Sequence, residues 1–342
     1  MTPLDILTAA SMGNPAPRIP VFCNLLDQGA ALLKLSPKAY FANGQYVAEA
    51  QLQLLQRYGH DNVWSLHYVG KEAELLGCQK ILFADNGVPN VEDFVIKTLD
   101  DIPKFEVPDD ITLHPAWQSI AECMAILRKE VGHTHPICAY LTASTTLPAI
   151  LMGMDKWMEL FLLGPFDLRD ELIHKCSIFF QKHLAALKAA GANVLIYASP
   201  FGSPYFLSLP QIRKDILPWM IQDLQGVDRA GLVYYCGMAP FNAVIDLVFD
   251  ELAISTHYIS PLADLAEAKR LINTRGLMCG VIDDIKMIHW SASQTRDEVK
   301  RIIDIGKPGG HFLFGTGVMP LSIPEENIRA MLAAAFEYGA WL

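Results

Sequence analysis

The stretch Gly231-Leu-Val-Tyr-Tyr-Cys-Gly-Met-Ala-Pro240 runs apolar, stops at Cys236-Gly237 and turns at Ala239-Pro240. A short apolar run bounded by Gly and Pro reads as a buried strand. A cysteine leaving such a strand lies where α/β barrels carry their chemistry. Working outward, four similar runs precede it: 18–24, 62–68, 136–143 and 193–199. Three follow it: 252–257, 277–283 and 311–316. Helical patterns separate them, such as the one opened by Ser36-Pro37 and stopped at Tyr58-Gly59, and a long one from Pro148 to Ala190 broken at Gly164-Pro165. Thr295-x-x-Glu298 and Ser322-x-x-Glu325 read as capping boxes for the last two helices. The alternation predicts an α/β fold, a (β/α)8 TIM barrel across 1–342 with a short N-terminal extension. A rim excursion near 81–110, with turns at Asn86-Gly87 and Pro89-Asn90, reads as a flap over the mouth. An open doubly wound sheet is the alternative, but no GxGxxG opens a helix after the first strand.

The composition restricts function. The net charge is −10 and there is no Lys/Arg cluster, which argues against a nucleic-acid partner. No uncharged apolar run is long enough to span a bilayer, which argues against a membrane partner. Seven cysteines, with no CxxC pair and no leader-like start, point to reduced thiols and a cytoplasmic location.

In a barrel the strand C-termini face the site. Cys236, His257 and Cys279 close or lie within the fifth, sixth and seventh strands. Thiolate and imidazole are zinc ligands, and three protein ligands suffice for a catalytic zinc. Glu74, after the second strand, is a candidate carboxylate for the same shell. Alternatively Cys279 packs within its strand, His257 hydrogen-bonds in a loop and Glu74 belongs to a solvated helix start. His67 and Tyr235 are candidate proton donors or acceptors. Asn24, Tyr68, Ser199 and Thr316, at other strand ends, are candidates to bind substrate.

Several segments resemble the uroporphyrinogen decarboxylase superfamily, and more closely its methylcobamide:coenzyme M methyltransferase branch. They are Arg18-Ile-Pro-Val21, Glu72-Ala-Glu-Leu-Leu-Gly-Cys78, Gly191-Ala-Asn-Val194 with Pro200-Phe-Gly-Ser-Pro204, Tyr235-Cys-Gly237, and Gly315-Thr-Gly-Val-Met-Pro320 before Pro324-Glu-Glu-Asn327. The resemblance implies a TIM barrel and corrinoid-dependent methyl transfer, with the corrinoid on a partner protein and zinc as cofactor. Two departures stand out. The decarboxylases' arginine-rich segment after the first strand is replaced here by Phe22-Cys-Asn-Leu-Leu-Asp-Gln-Gly29, without an arginine. Of the methyltransferases' His-x-Cys and late Cys zinc ligands, only Cys236 matches; Tyr234 and Thr316 stand at the other two positions. The expected substrate is therefore a small methyl ether, methylamine or thiol. The alternatives are a decarboxylase and a non-catalytic corrinoid- or tetrapyrrole-binding protein.

Overall fold

The computed structural model describes residues 1–84 and 87–341. The eight barrel strands are β1 (Val21–Asn24), β2 (Val63–Trp64), β3 (Ile137–Thr142), β4 (Val194–Ala198), β5 (Leu232–Tyr235), β6 (Thr256–Ile259), β7 (Leu277–Ile282) and β8 (Phe312–Val318). All pairings among them are parallel, in the order β1-β8-β7-β6-β5-β4-β3-β2. Helices cover the outer face, so the strands are buried on both sides and read as apolar runs rather than alternating ones.

No backbone ladder joins β1 to β2; side chains close that seam. Asn62 Oδ1 accepts from Cys23 N at 2.8 Å, and Trp64 Nε1 donates to Cys23 O at 2.8 Å. One backbone bond, Asp61 N to Val21 O at 2.9 Å, completes it. At the same end Arg18 grips Asp61 in a bidentate pair at 2.5 and 2.7 Å.

The N-terminal extension is the helix Pro3–Met12, capped by a reciprocal Thr2–Asp5 box. With the strand starts it lines a cavity of about 520 Å³ at the barrel's lower end. The segment opened by Ser36-Pro37 forms two helices rather than one, Pro37–Phe41 and Gly44–Tyr58, because Asn43 caps the second through its side chain. Gly44 permits that helix to lie on Pro115–Glu130: a Cβ there would sit 2.2 Å from Ser119 O. The Pro148–Ala190 region breaks at Gly153 as well as at Gly164-Pro165.

Neither expected capping box forms. Ser291 and Gln294 make the box for the helix Ala292–Gly306, which places Thr295 inside it, its hydroxyl donating to Ser291 O at 3.0 Å. The last helix, Glu325–Gly339, follows Pro324 with no side-chain cap. The rim excursion is present. Ile81–Leu82 pairs antiparallel with Asn90–Val91, and the segment reaches over the upper mouth. Asn86, expected in its turn, lies outside the described residues.

Candidate active site at the barrel mouth

The upper cavity measures about 460 Å³. Its floor is aromatic. Tyr140 on β3 stacks on Trp64 with ring centroids 4.9 Å apart, and His67 stacks on Tyr140 at 4.8 Å. Tyr235 on β5 lies 6.3 Å from Tyr140, and Tyr258 on β6 meets Tyr235 edge-on at 5.4 Å. Asn24 ties this floor to β1, its Nδ2 donating to the Tyr140 hydroxyl at 3.2 Å. Val88, Val91 and Phe94 of the flap cover the cavity from above, and Ala149 and Ile150 of the helix Leu147–Met152 form a side wall. No lysine or arginine lines it among the described residues.

Few polar groups face this apolar space, and burial dominates their charge states. Asp27, in the loop after β1, lines the cavity and is 7 % exposed. Burial pushes its carboxyl up to about 7. Burial pushes His67 down to about 4, with nearby Glu72 opposing, so the imidazole is neutral near physiological pH. Glu72 is itself buried, but its bonds to His183 Nδ1 and from Thr142 N, both 3.1 Å, win over desolvation and hold it below its ordinary value. Asp284, just after β7, is pushed up to about 7 by burial and by adjacent Asp283. Its charge in turn contributes to raising Tyr235, whose phenol burial holds protonated.

Four of the residues expected from the sequence line this cavity together: Asn24, His67, Tyr68 and Tyr235. Ser199 and Thr316 do not. Thr316 sits behind the wall, its hydroxyl accepting from Asn24 N at 2.9 Å and donating to Gly317 O at 3.0 Å. Ser199 is fully buried beside Gly202 and Tyr234, on the outer side of β5. Glu74 accepts from the Tyr68 hydroxyl and pairs with Lys71 at 3.1 Å, so it holds Tyr68 in place.

The expected zinc shell is not assembled. Cys236 is 1 % exposed and absent from the cavity lining, next to Tyr234, and burial raises its thiol to about 12. His257 is packed between the barrel and its helices, 4.4 Å from the ring of Phe249, and burial drives it down to about 3. Cys279 lines the lower cavity, against Gly315. The physical reason is strand phase. β6 begins at Thr256, four residues later than the sequence suggested, so His257 is its second residue, below the mouth; it faces out onto Phe249 while its neighbour Tyr258 faces in. Cys279 is the third residue of β7, well below the mouth. Among the described residues no three of His, Cys, Asp and Glu are grouped closely enough to hold a metal ion. These residues do not fit a zinc site, and no step is built on one.

Sequence reasoning places Thr142 at a strand end facing the site but misses Asp27 and Tyr140, which line the cavity, and Asp284, which lies behind the lining beside Gly317. Alternation along β3 offered a signal, since Tyr140 and Thr142 share a face that reaches the mouth. Nothing in the local sequence singled out Asp27 or Asp284, because the connections just after a strand have no period.

Comparison with known proteins agrees with this architecture. A methylcobamide:CoM methyltransferase of Methanosarcina barkeri is 25% identical over 98% of this chain and 97% of its own length. A uroporphyrinogen decarboxylase of Geotalea uraniireducens is 22% identical over 94% of the chain and 95% of its own. Among solved structures, a methyltransferase from Methanosarcina mazei superposes with a TM-score of 0.81 at 21% identity, covering 99% of this chain and 100% of that one. A B12-independent methionine synthase from a Shewanella species gives 0.54 at 15% identity, covering 90% and 89%. The uroporphyrinogen decarboxylase (URO-D) family matches residues 2–338, and the chain belongs to that family.

Proposed function

We propose that the chain is a corrinoid-dependent methyltransferase. It moves a methyl group between a small substrate in the mouth cavity and the cobalt of a corrinoid carried by a partner protein. The observation that carries this reading is the cavity itself: small, apolar and aromatic, with no cationic side chain in its lining among the described residues. A tetrapyrrole with many carboxylates needs several charge-assisted partners, and this lining offers none. Decarboxylation of such a substrate is disfavoured for that reason. The similarity to a methylcobamide:CoM methyltransferase over nearly the full length supports the methyl-transfer class.

The corrinoid supplies the methyl-accepting or methyl-donating centre, and the chain's task is to seat the substrate in line with it. Tyr140 and Tyr235 form the surface on which the methyl-bearing group rests. Asn24, beside the floor, and Tyr68 are the polar anchors, and Glu74 fixes Tyr68. His67, neutral and stacked on Tyr140, donates or accepts one hydrogen bond without carrying charge. The flap excludes water once a ligand is seated.

The test is to mix the protein with reduced corrinoid protein and a panel of methyl ethers, methylamines and methyl thioethers, following the corrinoid absorbance. A donor-dependent conversion supports the proposal. No conversion with any donor, together with formation of coproporphyrinogen from uroporphyrinogen, would replace it with the decarboxylase reading.

A further inference from the structure

Asp27 is more than nine-tenths buried, yet its carboxylate has no hydrogen-bond partner among the described residues. It lines the mouth cavity. A carboxyl so placed resists ionisation, and a cation seated beside it in the cavity would offset that cost. The walls around it are rings: Tyr68, Phe94, Tyr140 and Tyr235. Among the described residues, aromatic faces and one unpaired carboxylate, in a cavity lined by no lysine or arginine, form a receptor for a soft cation with methyl groups.

We infer that the mouth cavity binds a methylated onium cation, a quaternary ammonium or a sulfonium, with Asp27 opposing its charge and Tyr140 and Tyr235 facing its methyl groups. This rests on the methyl-transfer reading and names its substrate class. The leaving-group chemistry agrees. A methyl ether must leave as an alkoxide, and that oxygen needs a proton or a Lewis acid. An onium leaves as a neutral amine or thioether. The carbon–nitrogen or carbon–sulfur bond breaks with its electron pair on the heteroatom. The pair that forms the new bond to carbon comes from the reduced cobalt of the partner's corrinoid. No proton moves, so neither a protonated His67 nor an assembled zinc shell is required.

Ionised Asp27 is the binding form. Its titratable neighbour is Tyr40 of the helix Pro37–Phe41, whose phenol burial keeps neutral. His67 and Tyr68, which share the cavity, are also neutral near physiological pH. Onium affinity therefore rises as the pH passes upward through the Asp27 transition.

Calorimetric titration of the full chain with choline, with tetramethylammonium and with dimethylbutanol, the uncharged carbon isostere of choline, tests this. At about pH 8, choline is expected to bind at least about tenfold tighter than its isostere. The advantage should shrink at about pH 6 and vanish in Asp27→Asn. Phe94→Leu, on the flap and away from the core, should weaken choline but not the isostere. Equal binding of choline and its isostere, a preference untouched by Asp27→Asn, or no binding of either cation would overturn the inference. Methyl transfer from an uncharged donor alongside absent onium binding would remove the onium assignment and leave the methyltransferase. Onium binding with no corrinoid-linked transfer from any donor would do the reverse.

Discussion

At the scale of single residues, Asp27 is the most informative position, because its carboxyl makes no hydrogen bond among the described residues. Its folded pKa of about 7 lies above the ordinary value of 3.8, so the folded state holds the proton more tightly than the unfolded state. By linkage, stability falls as pH rises between those two values, and the full cost is present above the higher one. Asp27→Asn removes that term. The variant is expected to be more stable than the wild type at alkaline pH, on the order of 4 kcal/mol. The gap should close as the pH is lowered toward the carboxylate's unfolded value. Urea denaturation of both proteins across this range measures it, and a gap that widens on acidification would refute the assigned direction. Gaining stability while losing ligand is the signature of a group kept for function.

At the scale of elements, strand existence was legible and strand phase was not. Each barrel strand is a short apolar run punctuated by Gly, Pro or Asn, and that pattern follows from burial on both faces. Burial on both faces also erases the polar alternation that would tell inward from outward. Because β6 starts a few residues later than its apolar run suggests, His257 is low in the strand as a packing residue, and Tyr258 lies under Tyr235 and lines the lower cavity. For the same reason Cys236→Ser is expected to keep methyl-transfer activity within about twofold, since surroundings rather than catalysis hold that thiol. Activity assays on metal-chelated wild type and on Cys236→Ser check this; loss of activity in both would restore a metal role for that thiol. The β1–β2 seam gives a second expectation. Asn62→Ala removes the acceptor for Cys23 N where no ladder bond can replace it. A loss of about 1–3 kcal/mol is expected for the buried donor left unpaired, readable as a lowered denaturation midpoint. An unchanged midpoint would show that the seam is closed by other contacts.

At the scale of the whole molecule, the barrel separates its two ends. The lower end is sealed by the Pro3–Met12 helix and the Arg18–Asp61 pair, and Cys279 faces the cavity there. The upper end carries the aromatic floor, the flap and the buried acids. The overall fold could be read from the count and spacing of apolar runs. The excursion could be read as a flap from its turns and acidic residues. The chemistry of the mouth could be read only in part, because it depends on residues just beyond the strands, such as Asp27, that no periodicity marks. No helix among the described residues is long and apolar enough to cross a membrane.

The central claim is that methyl transfer takes place in the mouth cavity. Ala149 lines that cavity from the side wall, so Ala149→Trp places an indole in the space the substrate would occupy while leaving the floor residues unchanged in sequence. The decisive measurement is the rate of corrinoid-linked methyl transfer by Ala149→Trp, with its melting temperature recorded alongside. The account predicts a loss of about a hundredfold or more, because the substrate can no longer be seated, with the melting temperature close to that of the wild type. A folded Ala149→Trp variant that transfers methyl groups at the wild-type rate would contradict it.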